Sequence, residues 1–273
     1  MTQTPHTPRV LIFDSGVGSL SIGAEIHRQR PDIDLLYIMD RGGFPYGEWQ
    51  EAALVKHICR EVTAVLAEEP ADLLVMACNS ASTAVLPALR ASLSIPVVGV
   101  VPAIKPAAAM SQSGVIGLLA TPGTIARPYT AQLIEDFARE HCVIAVGSKE
   151  LAPAVEALFW GEPVAEAVWQ RAVAELQQHP RFPELDTLVL ACTHFPLVKT
   201  QLAAHLPPLQ WVDSGEAIAR RVDHLLCEAG WPRLTAQQDV QQGKQEARVL
   251  GIDRASKALL AKLEQRQVQF TGR

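Results

Sequence analysis

The sequence predicts an α/β fold made of two similar halves, each carrying a mostly parallel sheet. Three observations predict it: short continuous apolar runs, amphipathic stretches between them, and a duplicated segment that ends in cysteine. Parallel strands are covered on both faces, so they read as unbroken apolar runs rather than as alternating ones. Alternation of such strands with helices gives parallel order. In these sheets ligands bind beyond the carboxyl ends of the strands.

The strand-like runs come in order at 10–13, 35–38, 73–77, 97–101, 115–119, 143–146 and 188–191. Between the second and third, the stretch 48–69 puts Leu54, Ile58, Val62, Val65 and Leu66 on one helical face. The duplication is the more informative feature. Asp72-Leu-Leu-Val-Met-Ala-Cys78-Asn79 matches Asp186-Thr-Leu-Val-Leu-Ala-Cys192-Thr193 at five of eight positions, at a constant offset of 114. The flanks keep the same order: a strand ending in a polar turn comes before each copy (Asp14-Ser15-Gly16, then Ala120-Thr121-Pro122-Gly123-Thr124). After each copy an apolar strand leads into Ala-Ile (Ala103-Ile104, Ala217-Ile218). Two such halves pack about a pseudo-twofold axis, with a cysteine from each at the carboxyl end of equivalent strands, facing across the cleft between them.

Two opposed thiols suit one kind of chemistry. Inverting a carbon centre requires removing a proton on one face and returning one on the other, and two groups on opposite faces do this without moving. One must be thiolate while the other is thiol. A thiolate serves near neutral pH if its pKa is brought down from about 8.5. Each cysteine is followed by polar residues and an expected helix start, Asn79-Ser80-Ala-Ser82 and Thr193-His194-Phe-Pro196, and a helix N-terminus favours the thiolate. The remaining cysteines, Cys59, Cys142 and Cys227, read as small buried hydrophobes. The odd count, wide spacing and lack of a CxxC pair argue against a disulfide framework.

Neighbouring residues admit two readings each. Asp14 is either a helix N-cap or a carboxylate that orients a substrate ammonium or the Cys78 thiol. The run Asp14-Ser15-Gly16-Val17-Gly18 is not a dinucleotide fingerprint, because Ser21 stands where the third glycine belongs, and it lacks the Gly-Lys-Ser/Thr of a P-loop. His194 is either a satisfied histidine or a partner that tunes Cys192. Cys78, Cys192 and His194 would offer a metal three soft ligands, but their spacing and the missing fourth ligand argue against a metal site. The candidate loops hold almost no Arg or Lys, so a substrate carboxylate would rest on backbone N–H groups and on Ser, Thr and Asn side chains.

At these residues the sequence resembles the glutamate racemase family of the aspartate/glutamate racemase superfamily. The resemblance rests on Phe13-Asp-Ser-Gly-Val-Gly18, Pro45-Tyr-Gly47, Ala77-Cys-Asn-Ser-Ala-Ser82, Ala120-Thr-Pro-Gly-Thr124, Ala191-Cys-Thr-His-Phe-Pro-Leu197 and Val212-Asp-Ser-Gly215. It implies two pseudo-symmetric αβα domains with the active site in the cleft, the first formed by residues 1–103 and 214–273, the second by 104–213. It also implies free L- and D-glutamate as substrates, no cofactor, no metal, and a supply of D-glutamate to peptidoglycan. Cys78 and Cys192 match the family's proton donor/acceptors, with Asp14 and His194 as catalytic partners. Asp14-Ser15, Tyr46-Gly47, Asn79-Ser80 and Thr193-His194 match its substrate-binding pairs. Thr121 and Thr124 fall in a further site loop, and Glu156 matches a position near the second cysteine. Ser19 replaces a common Gly, which bears on backbone shape after the first loop, and Ser80 replaces Thr but keeps the hydroxyl. The stretch Gly99-Val-Val-Pro-Ala-Ile-Lys-Pro106 resembles a branch activated by a UDP-muramoyl precursor.

Composition bounds the rest. With 273 residues, 48% apolar, 19% charged and a net charge of −5, the chain is an ordinary globular one without a basic footprint for nucleic acid. The polar start gives no secretory signal, and the apolar stretch 95–110 is broken by Pro96, Pro102, Lys105 and Pro106, so a cytoplasmic monomer or homodimer without a membrane partner is expected. Three functions stay open on the residues: a glutamate racemase, an aspartate or hydantoin racemase on the same fold, and a non-catalytic amino-acid-binding or partner-inhibiting protein.

Overall fold

The computed structural model describes residues 6–233, 242–252 and 254–272. The chain opens with β1 (Arg9–Asp14), α1 (Ser19–Gln29), β2 (Asp34–Asp40), α2 (Glu51–Glu68), β3 (Leu73–Met76), α3 (Asn79–Ser92) and β4 (Val97–Gly99). It continues through α4 (Ile104–Met110), β5 (Val115–Ala120), α5 (Pro122–Ile125), α6 (Pro128–Phe137), β6 (Cys142–Gly147), α7 (Leu151–Trp160), α8 (Ala167–Gln178), β7 (Thr187–Ala191), α9 (Lys199–Ala203) and β8 (Gln210–Val212). It closes with α10 (Gly215–Glu228), β9 (Gln245–Leu250), α11 (Lys257–Glu264) and β10 (Gln269–Gly272).

Two sheets result, a six-stranded one ordered β10-β9-β2-β1-β3-β4 and a four-stranded one ordered β6-β5-β7-β8. Every described pairing is parallel. The order β2-β1-β3-β4 recurs as β6-β5-β7-β8, so the duplicated sequence is a duplicated topology, with β9 and β10 added at the β2 edge of the first copy. The apolar runs of β1, β3, β5 and β7 are buried on both faces, as their pattern requires, whereas the edge strand β6 leaves Ala145 exposed. In β1, Val10 and Ile12 join one core cluster while Leu11 and Phe13 join another across the sheet. In α2 the buried residues are Leu54, Ile58, Val62 and Val65, four of the five expected on that face.

Three expectations need correction. Cys227 is exposed and Cys59 and Cys142 are only half-buried, so these three cysteines are not the buried hydrophobes expected. The segment after Cys192 does not start a regular helix: a 3-10 turn covers Phe195–Val198, and only the five-residue α9 follows. Pro196 inside that turn has no N–H to give, and the turn closes instead through Phe195 N–H to Cys192 O and Leu197 N–H to His194 O. Ser19 lies in ordinary helical backbone at the start of α1, and among the described non-glycine residues only Gln267 has positive φ, so no glycine-specific shape is lost there. No described helix is long and apolar enough to cross a membrane.

Candidate active site

Four strand ends meet between the sheets. Asp14 ends β1, Cys78 follows β3, Thr121 follows β5 and Cys192 follows β7. The contacts between the halves are reciprocal. Thr193, after β7, donates its hydroxyl to Asp14 Oδ2 at 2.8 Å, and Ser80, after β3, lies 2.9 Å from the Thr121 hydroxyl. A β1 end meets a β7 turn while the equivalent β5 end meets the equivalent β3 turn, which is the pattern a pseudo-twofold relation produces.

Asp14 is not a helix cap, since α1 begins at Ser19 behind Gly18. Its carboxylate instead accepts from Gly16 N–H at 3.1 Å, Ser15 Oγ at 3.2 Å and Thr193. Complete burial pushes its pKa up to about 6, with the charge of His194 and the Thr193 hydrogen bond opposing the rise.

Cys78 occupies the N-cap of the fourteen-residue α3 in extended backbone, φ −130° and ψ 116°. The Ala81 and Ser80 N–H groups favour its thiolate, but burial and then the charges of Asp14 and Cys192 act against them. Its pKa is therefore pushed well above the ordinary thiol value. This reverses the expected lowering, because desolvation in a site this closed outweighs the helix terminus.

Cys192 has a different neighbour. His194 Nδ1 lies 3.9 Å from its sulfur, and His194 Nε2 lies 2.8 Å from Glu156 Oε1. Burial works against a charged His194, yet the hydrogen bonds to Cys192 and Glu156 raise its pKa well above the ordinary imidazole value. Glu156, from α7, also accepts from Val17 N–H at 2.6 Å on Oε1 and from Trp160 Nε1 at 2.9 Å on Oε2. Burial disfavours its charge, but the His194 hydrogen bond and charge, the Val17 N–H and Arg41 together hold its pKa below the usual range. Both Glu156 oxygens are thus taken by protein groups, and its path to Cys192 runs through His194. The glycines of the first loop are explained here. A side-chain carbon at Gly16 would overlap the Glu156 carboxylate, and one at Gly18 would meet Thr193 Oγ1 and His194 Nδ1.

The remaining expected residues line the same cleft. Ser80, Thr121 and Thr124 form a triangle of hydroxyls with sides of 2.9, 3.0 and 3.1 Å. Asn79 is buried, and its side-chain oxygen has no hydrogen-bond partner. Tyr46 is buried and donates to Asp40 Oδ2 at 2.6 Å, while Gly47 is exposed at the rim with its carbonyl packed towards Gly123. Among the described residues, no three His, Cys, Asp or Glu side chains are grouped to hold a metal ion.

Sequence reasoning missed Asp40, Arg41, Phe44, His57 and Trp160. Asp40 also accepts from His57 Nε2, and Phe44 lies against the His194 ring with centroids 5.6 Å apart. The signal available was position, since Asp40 and Arg41 stand at the carboxyl end of β2, where ligands of such sheets bind. The site is shut: Cys78 and Cys192 are each 8% exposed, and the void beside Cys192 and Asn79 is about 10 Å³, room for one water at most.

With this geometry in view, the comparisons are specific. The profile of the Asp/Glu/Hydantoin racemase family matches residues 36–222. The glutamate racemase of Erwinia tasmaniensis is 50% identical over 220 residues, covering 80% of this chain and 77% of that protein. That of Salmonella typhimurium is 48% identical over 229 residues, covering 83% and 80%. Among solved structures, Escherichia coli glutamate racemase in complex with L-glutamate and the activator UDP-MurNAc-Ala is similar at a TM-score of 0.85 and 41% identity, over 97% of this chain and 98% of that one. The Thermus thermophilus glutamate racemase bound to β-chloro-D-alanine is similar at a TM-score of 0.73 and 30% identity, over 98% and 96%.

Proposed function

We propose, from the premise that the chain belongs to the Asp/Glu/Hydantoin racemase family and is an amino-acid racemase of the glutamate racemase kind, that Cys78 and Cys192 interconvert L- and D-glutamate as a two-base pair without a cofactor. The observation that carries this reading is the equivalence of the two thiols. They end duplicated strands, are buried in one cleft, and each has a different charged partner.

A thiolate on one side takes the Cα proton, and the electron pair left on Cα is delocalised towards the α-carboxylate. The thiol on the other side gives its proton to the opposite face of Cα, so the two sulfurs exchange roles. Cys78, pushed up by burial and by Asp14, is held as the thiol, and His194 faces the sulfur of Cys192 with Nδ1 at 3.9 Å. Glu156 serves as the positioning residue for His194. Asp14 and the unpartnered Asn79 oxygen are acceptors for the substrate ammonium, with Ser15 and Thr193 holding Asp14 in place. The Ser80, Thr121 and Thr124 hydroxyls, with backbone N–H groups at the α3 and α5 starts, receive a carboxylate, and Tyr46-Gly47 closes the rim. In this reading residues 1–103 and 214–273 form one domain and 104–213 the other. The enzyme works in the cytoplasm, its D-glutamate enters peptidoglycan synthesis, and a UDP-muramoyl precursor raises its turnover.

The test is incubation with L-glutamate, D-glutamate and L-aspartate in heavy water, with and without UDP-MurNAc-Ala, following optical rotation and Cα deuterium. Both glutamate enantiomers are expected to racemise with deuterium incorporation, and aspartate to remain nearly unchanged. Cys78→Ser and Cys192→Ser are each expected to lower racemisation by at least about a thousandfold. Near-normal turnover in either variant would refute the two-base assignment.

A further inference from the structure

Arg41 follows β2 and begins a 3-10 turn at the carboxyl edge of the first sheet. Its guanidinium reaches groups of the second half. It lies 3.7 Å from Glu156 Oε2 and stacks over the Trp160 ring at 5.5 Å from the centroid. It also stacks over Phe44, at 5.5 Å, and Phe44 itself lies against the His194 ring. Trp160 donates to the same Glu156 oxygen that Arg41 faces. One cation thus touches Glu156, Trp160 and Phe44, and Phe44 in turn packs on His194.

This is not an ordinary surface ion pair. The Arg41 side chain is 28% exposed, but its carboxylate partner is only 1% exposed. The planar guanidinium fits between two aromatic faces in a way an ammonium does not. The division of labour on the carboxylate is also clear. Oε2 is occupied by Trp160 and Arg41, which leaves Oε1 aimed at Val17 N–H and His194. A carboxylate held at one oxygen cannot turn at the other, so His194 keeps Nδ1 directed at Cys192.

We propose that Arg41 is a positioning residue for proton transfer at Cys192: it holds Glu156, and through it His194, in register while tying the two halves together over the site. This rests on the assignment of Cys192 as one of the two bases. Arg41 acts through its neighbours and exchanges no proton with the substrate. Its removal takes one of two groups off Oε2 and withdraws a positive charge from the Glu156 carboxylate that orients His194.

The test compares Arg41→Gln, Arg41→Lys and Trp160→Phe with the unaltered protein, measuring kcat and KM from each glutamate enantiomer across pH, with thermal melting as a check on folding. Arg41→Gln is expected to lower kcat about tenfold with KM changed less than about threefold. The loss of kcat/KM must be equal in both directions, because the two enantiomers are equally stable. The acidic limb of the profile is expected to move to higher pH, since the Glu156 carboxylate has lost the favourable charge of Arg41. Arg41→Lys is expected to restore that limb but only part of the rate, and Trp160→Phe, which keeps the stack and loses the N–H, to fall between. A kcat within twofold of normal for Arg41→Gln overturns the proposal. So does a loss of rate with an unmoved pH profile and no rescue by Lys, which would mark Arg41 as merely structural. Racemisation by the unaltered protein and its loss in Cys192→Ser establish the two-base reading separately; failure there overturns both.

Discussion

Asp14 is fully buried with its pKa pushed up to about 6 from 3.8, first by desolvation. The sign of its effect on stability follows. Between about pH 4 and pH 6 the folded protein keeps a proton that the unfolded chain has released, so stability falls as pH rises through that window. Above about pH 6 the whole cost is present, on the order of 3 kcal/mol. A residue that weakens the fold at neutral pH while accepting three hydrogen bonds fits a role in substrate binding. Asp14→Asn is therefore expected to raise the denaturation midpoint at pH 7, to flatten the stability profile between pH 4 and 6, and to lower racemisation at least about tenfold. A variant that melts lower at pH 7 than the unaltered protein would show that the hydrogen bonds outweigh the desolvation.

At the scale of elements, the duplication carries structure at its start as well as chemistry at its end. Asp72 and Asp186 occupy the same place ahead of β3 and β7. Asp72 accepts from Arg9 N–H at 2.8 Å, and Asp186 accepts from Gln112 N–H, Ser113 N–H and the Ser111 and Thr187 hydroxyls at 2.7 to 2.8 Å. Both carboxylates tie down the chain entering the neighbouring strand, β1 or β5. Burial works against the Asp186 charge, but these donors hold its pKa at about 2, so its contribution is present above the ordinary carboxylate range and is lost as pH falls towards 2. Asp186→Ala is expected to cost about 1–3 kcal/mol in urea denaturation, with kcat within twofold, because the residue stands at the amino end of its strand, far from the thiols. A large loss of kcat at unchanged stability would contradict the division between strand starts and strand ends.

For the molecule as a whole, the last described strands finish the first sheet. β9 pairs with β2 over six residues from Gln245 to Leu250, and β10 pairs with β9. Ala247 and Val249 enter the main core, while Arg248 and the other alternate residues are only half-buried. Deleting residues 242–273 is expected to expose the β2 edge and part of that core. Cooperative thermal unfolding, followed by near-ultraviolet circular dichroism, should be lost along with activity, although both cysteines remain. A truncated chain that melts cooperatively and racemises glutamate would show that the segment is an appendage. The alternating pattern of β9 also explains why continuous apolar runs did not reveal it.

By itself the sequence determined what depends on near neighbours. The apolar runs of β1, β3, β5 and β7, the amphipathic face of α2, and the repeat that sets Cys78 and Cys192 at equivalent strand ends were all legible, because periodicity and local register need only a few adjacent residues. The family motifs likewise pointed to Asp14, Ser80, Thr121, Glu156 and His194, which do gather in one cleft. Only the tertiary structure decided how these residues act on one another. Asp14 and Thr193 meet across 179 positions, Val17 and Glu156 across 139, and Arg41 reaches Glu156 from the other half of the molecule. The upward push on Cys78, the occupation of both Glu156 oxygens and the need for glycine at 16 and 18 all follow from burial. The burial of a polar or ionisable group is set by everything that packs around it, and no local pattern encodes that.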